Sequence, residues 1–270
     1  MPAVQLIRLR TQIQDILDHF AEPAILQRGL RDLLDLYANR AFRPGQASIH
    51  QTMLENYLPP PLVMRELEIA FTHLGKQSGG AALRVVSVLR HDPALEPRIL
   101  AAHLLGSIDP HPADPLLEEI RAWCTPEAER QVLDAILDHG CARLRAESES
   151  AWRGLVNAWI IHPETEWRMI GLRAMLPAIR DEQFINLPPL LSMISPLMQS
   201  PSPDILGDLQ DILQSFISRS PSEAVFYLRQ MLTLSGSLHT LRLARRLLPL
   251  FPPENQESLR TALRAHRAAE

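Results

Sequence analysis

The stretch Trp167-Arg-Met-Ile-Gly-Leu-Arg-Ala-Met-Leu-Pro177 shows apolar residues at the three- and four-residue spacing of one helix face. Similar segments return along the chain at intervals of about 32 to 38 residues, which is typical of helical repeat proteins. They cover residues 65–71, 98–106, 130–137, 168–177, 205–213 and 238–249. Each segment is interpreted as the first helix of an antiparallel pair.

A second set of apolar helical segments alternates with the first set. It covers residues 83–89, 116–123, 152–161, 190–198, 224–234 and 259–266. Most of the 23 prolines fall between these runs, where proline ends one helix or begins the next. Because the chain lacks alternating Val/Ile/Thr runs and hairpin turn dipeptides, we expect helices and no strands.

Small residues recur where neighbouring helices of a stack would cross. They are Ala102, Gly106, Ala135, Gly171, Ala174, Gly207 and Ala244. The absence of a large side chain at such positions lets two helix backbones approach closely. We therefore expect the helix pairs to pack as an α-solenoid.

The pattern resembles the HEAT-repeat family, and residues 167–177 match it best, with arginine followed by an apolar run containing Gly and Ala. The resemblance implies an all-α, right-handed superhelical solenoid of about six or seven stacked helix pairs. The repeat array is expected over residues 59–270. Residues 1–58 are expected to form an N-terminal helical cap, continuous with the array, with helices near 2–20, 23–40 and 47–57.

The composition of the chain disfavours several classes of function. The formal net charge of −4 gives no electrostatic case for a general nucleic-acid binder, and Lys76 is the only lysine in the chain. The two cysteines, Cys124 and Cys141, show no CxxC or disulfide-rich spacing, which favours a reducing compartment. With no apolar run long enough to span a bilayer and no secretory leader pattern, we expect a cytoplasmic protein without membrane association.

No motif for a phosphate loop, a dinucleotide site, a metalloprotease or a nucleophile elbow occurs in the sequence. We therefore predict no catalytic residue, no cofactor and no metal site. His103 and His239 are expected near the middle of two first helices, as satisfied polar residues or as ligand contacts. A small-molecule site between repeats would require a deep pocket beside one of them.

A cluster of tryptophan and arginine is the strongest candidate for partner binding. Trp152 and Trp159 are seven residues apart and therefore share one helix face, close in sequence to Arg153, Arg168 and Arg173. If this face is exposed, indole and guanidinium groups could clasp a partner. If it faces the next repeat, the tryptophans are core residues.

Two functions follow from these observations. The first is a non-enzymatic scaffold that binds a protein or peptide partner on its curved surface. The second is nucleic-acid binding, because residues 152–177 are similar in tryptophan and arginine spacing to the HEAT-like DNA glycosylases of the AlkD type. That resemblance implies a diverged alkylation-repair protein, although no segment matches the catalytic part of that family.

Overall fold

The computed structural model describes residues 5–39, 54–235 and 237–269, and these are predominantly helical. From the N-terminus, the helices begin with α1 (Leu6–Leu17), α2 (Pro23–Leu36), α3 (Pro61–Gln77), α4 (Gly79–Leu89), α5 (Leu95–Leu105), α6 (Asp114–Trp123), α7 (Arg130–Ala135) and α8 (Ala142–Glu147). The later helices are α9 (Glu149–Ile160), α10 (Thr165–Arg180), α11 (Pro188–Gln199), α12 (Leu206–Arg219), α13 (Pro221–Ser235), α14 (Leu238–Leu247) and α15 (Pro253–Ala269). The all-helical class is confirmed for the described residues, which contain no β-strand and one isolated bridge, between Glu55 and Ala94.

Proline sets many of the helix starts. Pro23, Pro61, Pro188, Pro221 and Pro253 each stand at the first residue of a helix, where the missing N–H costs nothing. The helix predicted from residues 168–177 is present as α10. Helix α10 continues to Arg180, because Pro177 removes only one hydrogen bond and its own carbonyl still accepts from the N–H of Asp181.

The chain divides into two compact units, residues 1–152 and 153–270. In the first unit, helices two apart in the chain contact each other: α1 with α3, α2 with α4, α3 with α5 and α5 with α7. In the second unit the same holds for α10 with α12, α12 with α14, α11 with α13 and α13 with α15. In each unit, therefore, a helix packs against the helix that lies two positions further along the chain.

The two N-terminal helices predicted in the cap are present as α1 and α2. The cap helix predicted near residues 47–57 falls mainly on residues 40–53, which are outside the described residues, and residues 54–57 are not helical. The predicted boundary between residues 58 and 59 stays a prediction about repeat organisation.

Helix α5 forms the centre of the first unit, because residues around its whole circumference are buried. The turn before it is fixed by Asp92, which is fully buried. Its carboxylate accepts hydrogen bonds from Gln27 Nε2 at 2.7 Å and from Arg31 Nε at 2.8 Å, and from the N–H of Ala94 at 2.9 Å. These bonds connect α2 to the α4–α5 turn through a paired, hydrogen-bonded buried charge.

Small residues allow close packing in the second unit, as predicted for Gly171. A Cβ atom on Gly171 would lie 2.9 Å from the backbone N of Ile160 and 3.1 Å from Cβ of Trp159, so α10 packs directly against the end of α9. The same prediction was wrong for Gly207, since a Cβ atom there would meet nothing within 4 Å. Gly207 lies at the start of α12, away from any helix crossing.

Among the described residues, no helix has the length and apolar character needed to cross a membrane.

Candidate functional site

A cleft of about 610 Å³ opens in the first unit, and its walls come from four helical elements, most of which are separated in the chain by other helices. We call it the histidine cleft. Its lining is Thr72 and Lys76 from α3, His103, Gly106 and Ser107 at the end of α5, His139 from a π-helix, and Ala142, Arg143 and Glu147 from α8. The sequence interpretation required a deep pocket beside His103 or His239 before a ligand site could be considered, and this cleft lies beside His103.

Glycine brings the walls of the histidine cleft together. A Cβ atom on Gly106 would collide with the carbonyl oxygen of His139 and would lie 2.7 Å from its carbonyl carbon. A Cβ atom on Gly75 would collide with the hydroxyl of Ser107 and would lie 2.8 Å from the carbonyl oxygen of Leu104. Helices α3 and α5 and the π-helix therefore cross at backbone distance, as predicted for Gly106 from the sequence.

The π-helix, Ile136–Gly140, continues directly from α7. Its wider turn is closed by the N–H of Cys141, which donates to the carbonyl of Ile136 at 2.9 Å, five residues back. Such turns occur frequently at functional sites, because the additional residue changes the direction of the side chains that follow. Here the turn places His139 against α5 and directs the next helix, α8, along the cleft.

Two imidazole rings stack inside the cleft. The ring centroids of His103 and His139 are 4.1 Å apart and the ring planes differ by 20°. Burial, and then the neighbouring His139, lower the pKa of His103 to about 4. His103 is therefore neutral at pH 7, with one ring nitrogen that donates and one that accepts. Its Nε2 lies 3.8 Å from Oε1 of Glu68 at the edge of the cleft.

Two basic side chains and one acidic side chain line the cleft. Arg143 donates from Nε to Glu147 Oε1 at 2.8 Å and from Nη1 to the carbonyl of Ser107 at 3.0 Å, so it is held by two partners. The hydrogen bond to Glu147 raises the pKa of Arg143. Lys76 is exposed on the last turn of α3. Lys76 and Arg143 contribute two positive charges to the lining and Glu147 one negative charge, and the carboxylates of Glu68 and Asp109 lie beside it, 3.8 Å from His103 and 4.0 Å from Arg143.

An exposed cluster lies next to the cleft. Asp109, His111 and Glu147 offer ligand atoms within 4.8 Å of one another, and oxygen and imidazole donors of this kind suit a divalent cation. Arg143 contacts both carboxylates, at 4.0 Å for Asp109 and 2.8 Å for Glu147. Because all three residues are exposed and Arg143 already lies beside both carboxylates, we assign no metal to this cluster.

The two cysteines are free, buried thiols. Burial raises the pKa of Cys124 well above its usual value and raises the pKa of Cys141 to about 12. Both thiols are therefore protonated at neutral pH and poor nucleophiles.

The tryptophans of the predicted partner-binding cluster are core residues. Trp152, in the first unit, is fully buried, and Trp159, in the second, is 5% exposed. This burial supports the interpretation of both tryptophans as packing residues. Since a buried indole offers no surface to a partner, we do not include the tryptophans in a binding site.

The three arginines predicted with them belong to the second unit and are partly buried. Arg168 donates to the carbonyls of His162 and Pro163, and Nε of Arg173 lies 3.5 Å from Oδ1 of Asp208. Partner binding by Arg153, Arg168 and Arg173 stays a prediction.

Most residues of the histidine cleft were not predicted from the sequence. His103 was a candidate, but it lies in the last turn of α5 and His239 in the first turn of α14, so their predicted equivalence near helix centres was wrong. Lys76 and His139 were missed because they approach His103 from helices far away in the sequence. The signal that could have indicated the site is the pairing of each histidine with a nearby glycine, in His103-Leu-Leu-Gly106 and His139-Gly140.

No protein-family model matches the chain, and a search of curated proteins found no match.

Proposed function

We propose that the chain is a HEAT-like, right-handed superhelical array that serves as a non-enzymatic interaction scaffold, with a protein or peptide partner seated in the histidine cleft. The observation that carries the proposal is the cleft itself, whose walls come from α3, the end of α5, the π-helix and α8 in the first unit. Stacked helical repeats typically bind extended partners on surfaces built in this way.

The packing of alternate helices supports the HEAT-like part of the proposal. In both units, helices two apart in the chain contact each other, which is the arrangement expected when antiparallel pairs stack. Glycines at the crossings of α5 with the π-helix and of α9 with α10 fit the same arrangement. The proposed location is cytoplasmic, in agreement with two free, buried cysteines.

The polar groups of the cleft support binding rather than reaction chemistry. The hydroxyl of Ser107 is buried and donates to the carbonyl of Leu104 at 2.7 Å, so it is not directed toward a histidine. The imidazoles of His103 and His139 face each other in a stack. The volume of about 610 Å³ accommodates a few side chains of a peptide segment.

Affinity capture from source-cell lysate tests the proposal when wild type is compared with a variant that fills the cleft. Thr72→Trp places a large ring in the cleft, and His73→Trp places the same ring at the next, exposed position of α3. We expect wild type and His73→Trp to capture the same proteins after nuclease treatment. Thr72→Trp is expected to capture at least about fivefold less, the loss of roughly 1 kcal/mol of binding. Equal capture by all three chains would contradict the proposal.

Nucleic-acid binding by a diverged AlkD-like repair protein is the second candidate. The observation that favours it is an exposed face of α14 that carries Arg242, Arg245 and Arg246. Three adjacent arginines can contact phosphates, and such binding weakens steeply with salt. If the captured material disappears with nuclease and with Arg→Gln changes at these three positions, this second function replaces the first.

A further inference from the structure

The exposed face of α14 carries three arginines that the described residues leave without an anionic partner. Arg242, Arg245 and Arg246 are exposed, and none of them forms an ion pair with a described residue. Because they are three and four residues apart, they lie on one helix face and repel one another. The negative end of the helix favours cations in the last turn, which includes Arg245 and Arg246 but not Arg242. An anionic partner on this face would relieve the repulsion.

The surroundings of this face also carry more positive than negative charge. Helix α14 packs against α12, α13 and α15, and its Thr240 donates to the carbonyl of Met198 in α11 at 2.7 Å. Residues 188–269, which cover all five helices, contain eight arginines and six acidic side chains. The six are Asp204, Asp208, Asp211, Glu223, Glu254 and Glu257. Two of them already lie beside other arginines, Asp208 beside Arg173 and Glu257 beside Arg260 and Arg264.

Exposed leucines lie at both ends of the arginine group. Leu238 is 61% exposed and precedes Arg242 by four residues, so it lies on the same helix face. Leu250, 46% exposed, follows shortly after the end of α14. A leucine gains free energy when apolar side chains cover it, which a phosphate backbone does not do. The three arginines span only about 6 Å along the helix axis. A short protein segment therefore fits this surface better than a nucleic acid does.

We propose that the exposed face of α14 binds an acidic, amphipathic segment of a partner protein. Carboxylates of the segment pair with Arg242, Arg245 and Arg246, and an apolar side chain of the segment packs on Leu238. The opposite face of α14 is buried and anchored by Thr240, so the surface is held in place before the partner arrives. This inference goes beyond the histidine cleft, because it names a second surface, in the other unit.

Designed peptides test this surface in the full chain. The Glu peptide is an acetylated, amidated alanine-based helix in which three glutamates repeat the spacing of the three arginines and one leucine repeats the position of Leu238. A Gln peptide replaces the glutamates, and a Ser peptide replaces the leucine. Each is titrated at low ionic strength while the backbone amide resonances of α14 are followed by NMR. We expect the Glu peptide to saturate with a Kd of roughly 0.1 to 1 mM. The Gln peptide should bind at least about tenfold more weakly and the Ser peptide about threefold more weakly.

Substitutions in the chain locate the surface. Joint replacement of Arg242, Arg245 and Arg246 by Gln is expected to weaken the Glu peptide about tenfold or more, and Leu238→Ser about threefold. The matched control replaces Arg8, Arg28 and Arg121 by Gln, which removes the same charge from exposed positions of the first unit. The control should change the affinity less than about twofold, because salt screens distant exposed charges. Thr72→Trp, which fills the histidine cleft, should leave the affinity unchanged.

A short oligothymidylate, which has phosphates but no apolar side chain, is the nucleic-acid probe. If it binds more tightly than the Glu peptide and is unaffected by Leu238→Ser, the face of α14 is a nucleic-acid surface and the proposal is overturned. Equal binding of the Glu and Gln peptides, an equal loss in the control variant, or no saturable shift would also overturn it. Loss of peptide binding in Thr72→Trp would place the peptide in the histidine cleft, which contradicts the assignment to α14 and leaves the scaffold proposal standing. Failure of the scaffold proposal is read separately, from capture that ignores Thr72.

Discussion

Gly106→Ala tests the close packing that forms the base of the histidine cleft. The added Cβ would collide with the carbonyl oxygen of His139 and would lie 3.1 Å from Cα of Gly140. Both obstacles are backbone atoms, so relief requires α5 and the π-helix to separate. Overpacking of this kind costs about 1 to 3 kcal/mol, and the rigid backbone places this site near the upper end. Alanine recovers up to about 1 kcal/mol by restricting the unfolded chain, which leaves a net loss of about 2 kcal/mol.

Gly80→Ala is the matched control, because Gly80 lies in the first turn of α4 and its added Cβ would meet nothing within 4 Å. It should raise the free energy of unfolding by about 0.5 kcal/mol through the unfolded state alone. Urea denaturation followed by far-ultraviolet circular dichroism measures both changes. A Gly106→Ala protein as stable as wild type, or stabilised like Gly80→Ala, would refute the close approach of α5 to His139.

Three further measurements test the packing and electrostatics. Asp92→Ala should lower the free energy of unfolding by about 3 kcal/mol, because it removes a buried carboxylate that bridges α2 to α5. Asp32→Ala, at an exposed position of α2, should change it by less than about 0.5 kcal/mol. Because the pKa of His103 is about 4 in the folded chain, below its unfolded value, its contribution to stability is present above pH 6.5 and lost as pH falls toward 4. After allowance for solvent screening, wild type should lose about 1 kcal/mol more than His103→Gln between pH 7 and pH 5, and parallel losses would contradict the assignment. Cys124 and Cys141 should react with a thiol reagent only at the rate of unfolding, so rapid labelling of native protein would contradict their burial.

The helices could be predicted from the sequence because apolar spacing and proline position are local signals. The segment at residues 98–106 became α5, and Pro188 and Pro221 begin helices in the structure. Helix ends were less certain, because a proline such as Pro177 is tolerated inside a helix when neighbouring hydrogen bonds persist. A seven-residue spacing correctly placed Trp152 and Trp159 on one helix, but spacing alone does not decide whether that face meets solvent or the core.

The histidine cleft could be predicted only in part, since its chemistry arises from distant segments. From the sequence, His103 was a candidate ligand contact and Gly106 a candidate helix crossing. Lys76 and His139 have no local feature that links them to His103. Their proximity depends on two backbone crossings and on the π-helix, whose additional residue leaves no recognisable sequence pattern. Small residues predicted the crossing at Gly106 but not the open surroundings of Gly207, because small size permits contact without requiring it.

The central claim is that a protein partner occupies the histidine cleft. Site-specific photo-crosslinking in the source cells tests it most directly, with a photoreactive amino acid at Ala142 in the cleft and, as control, at the exposed Gly80 on α4. We expect a nuclease-resistant protein adduct from position 142 and none of the same mass from position 80. Identical adducts from both positions, or no protein adduct from position 142, would contradict the account.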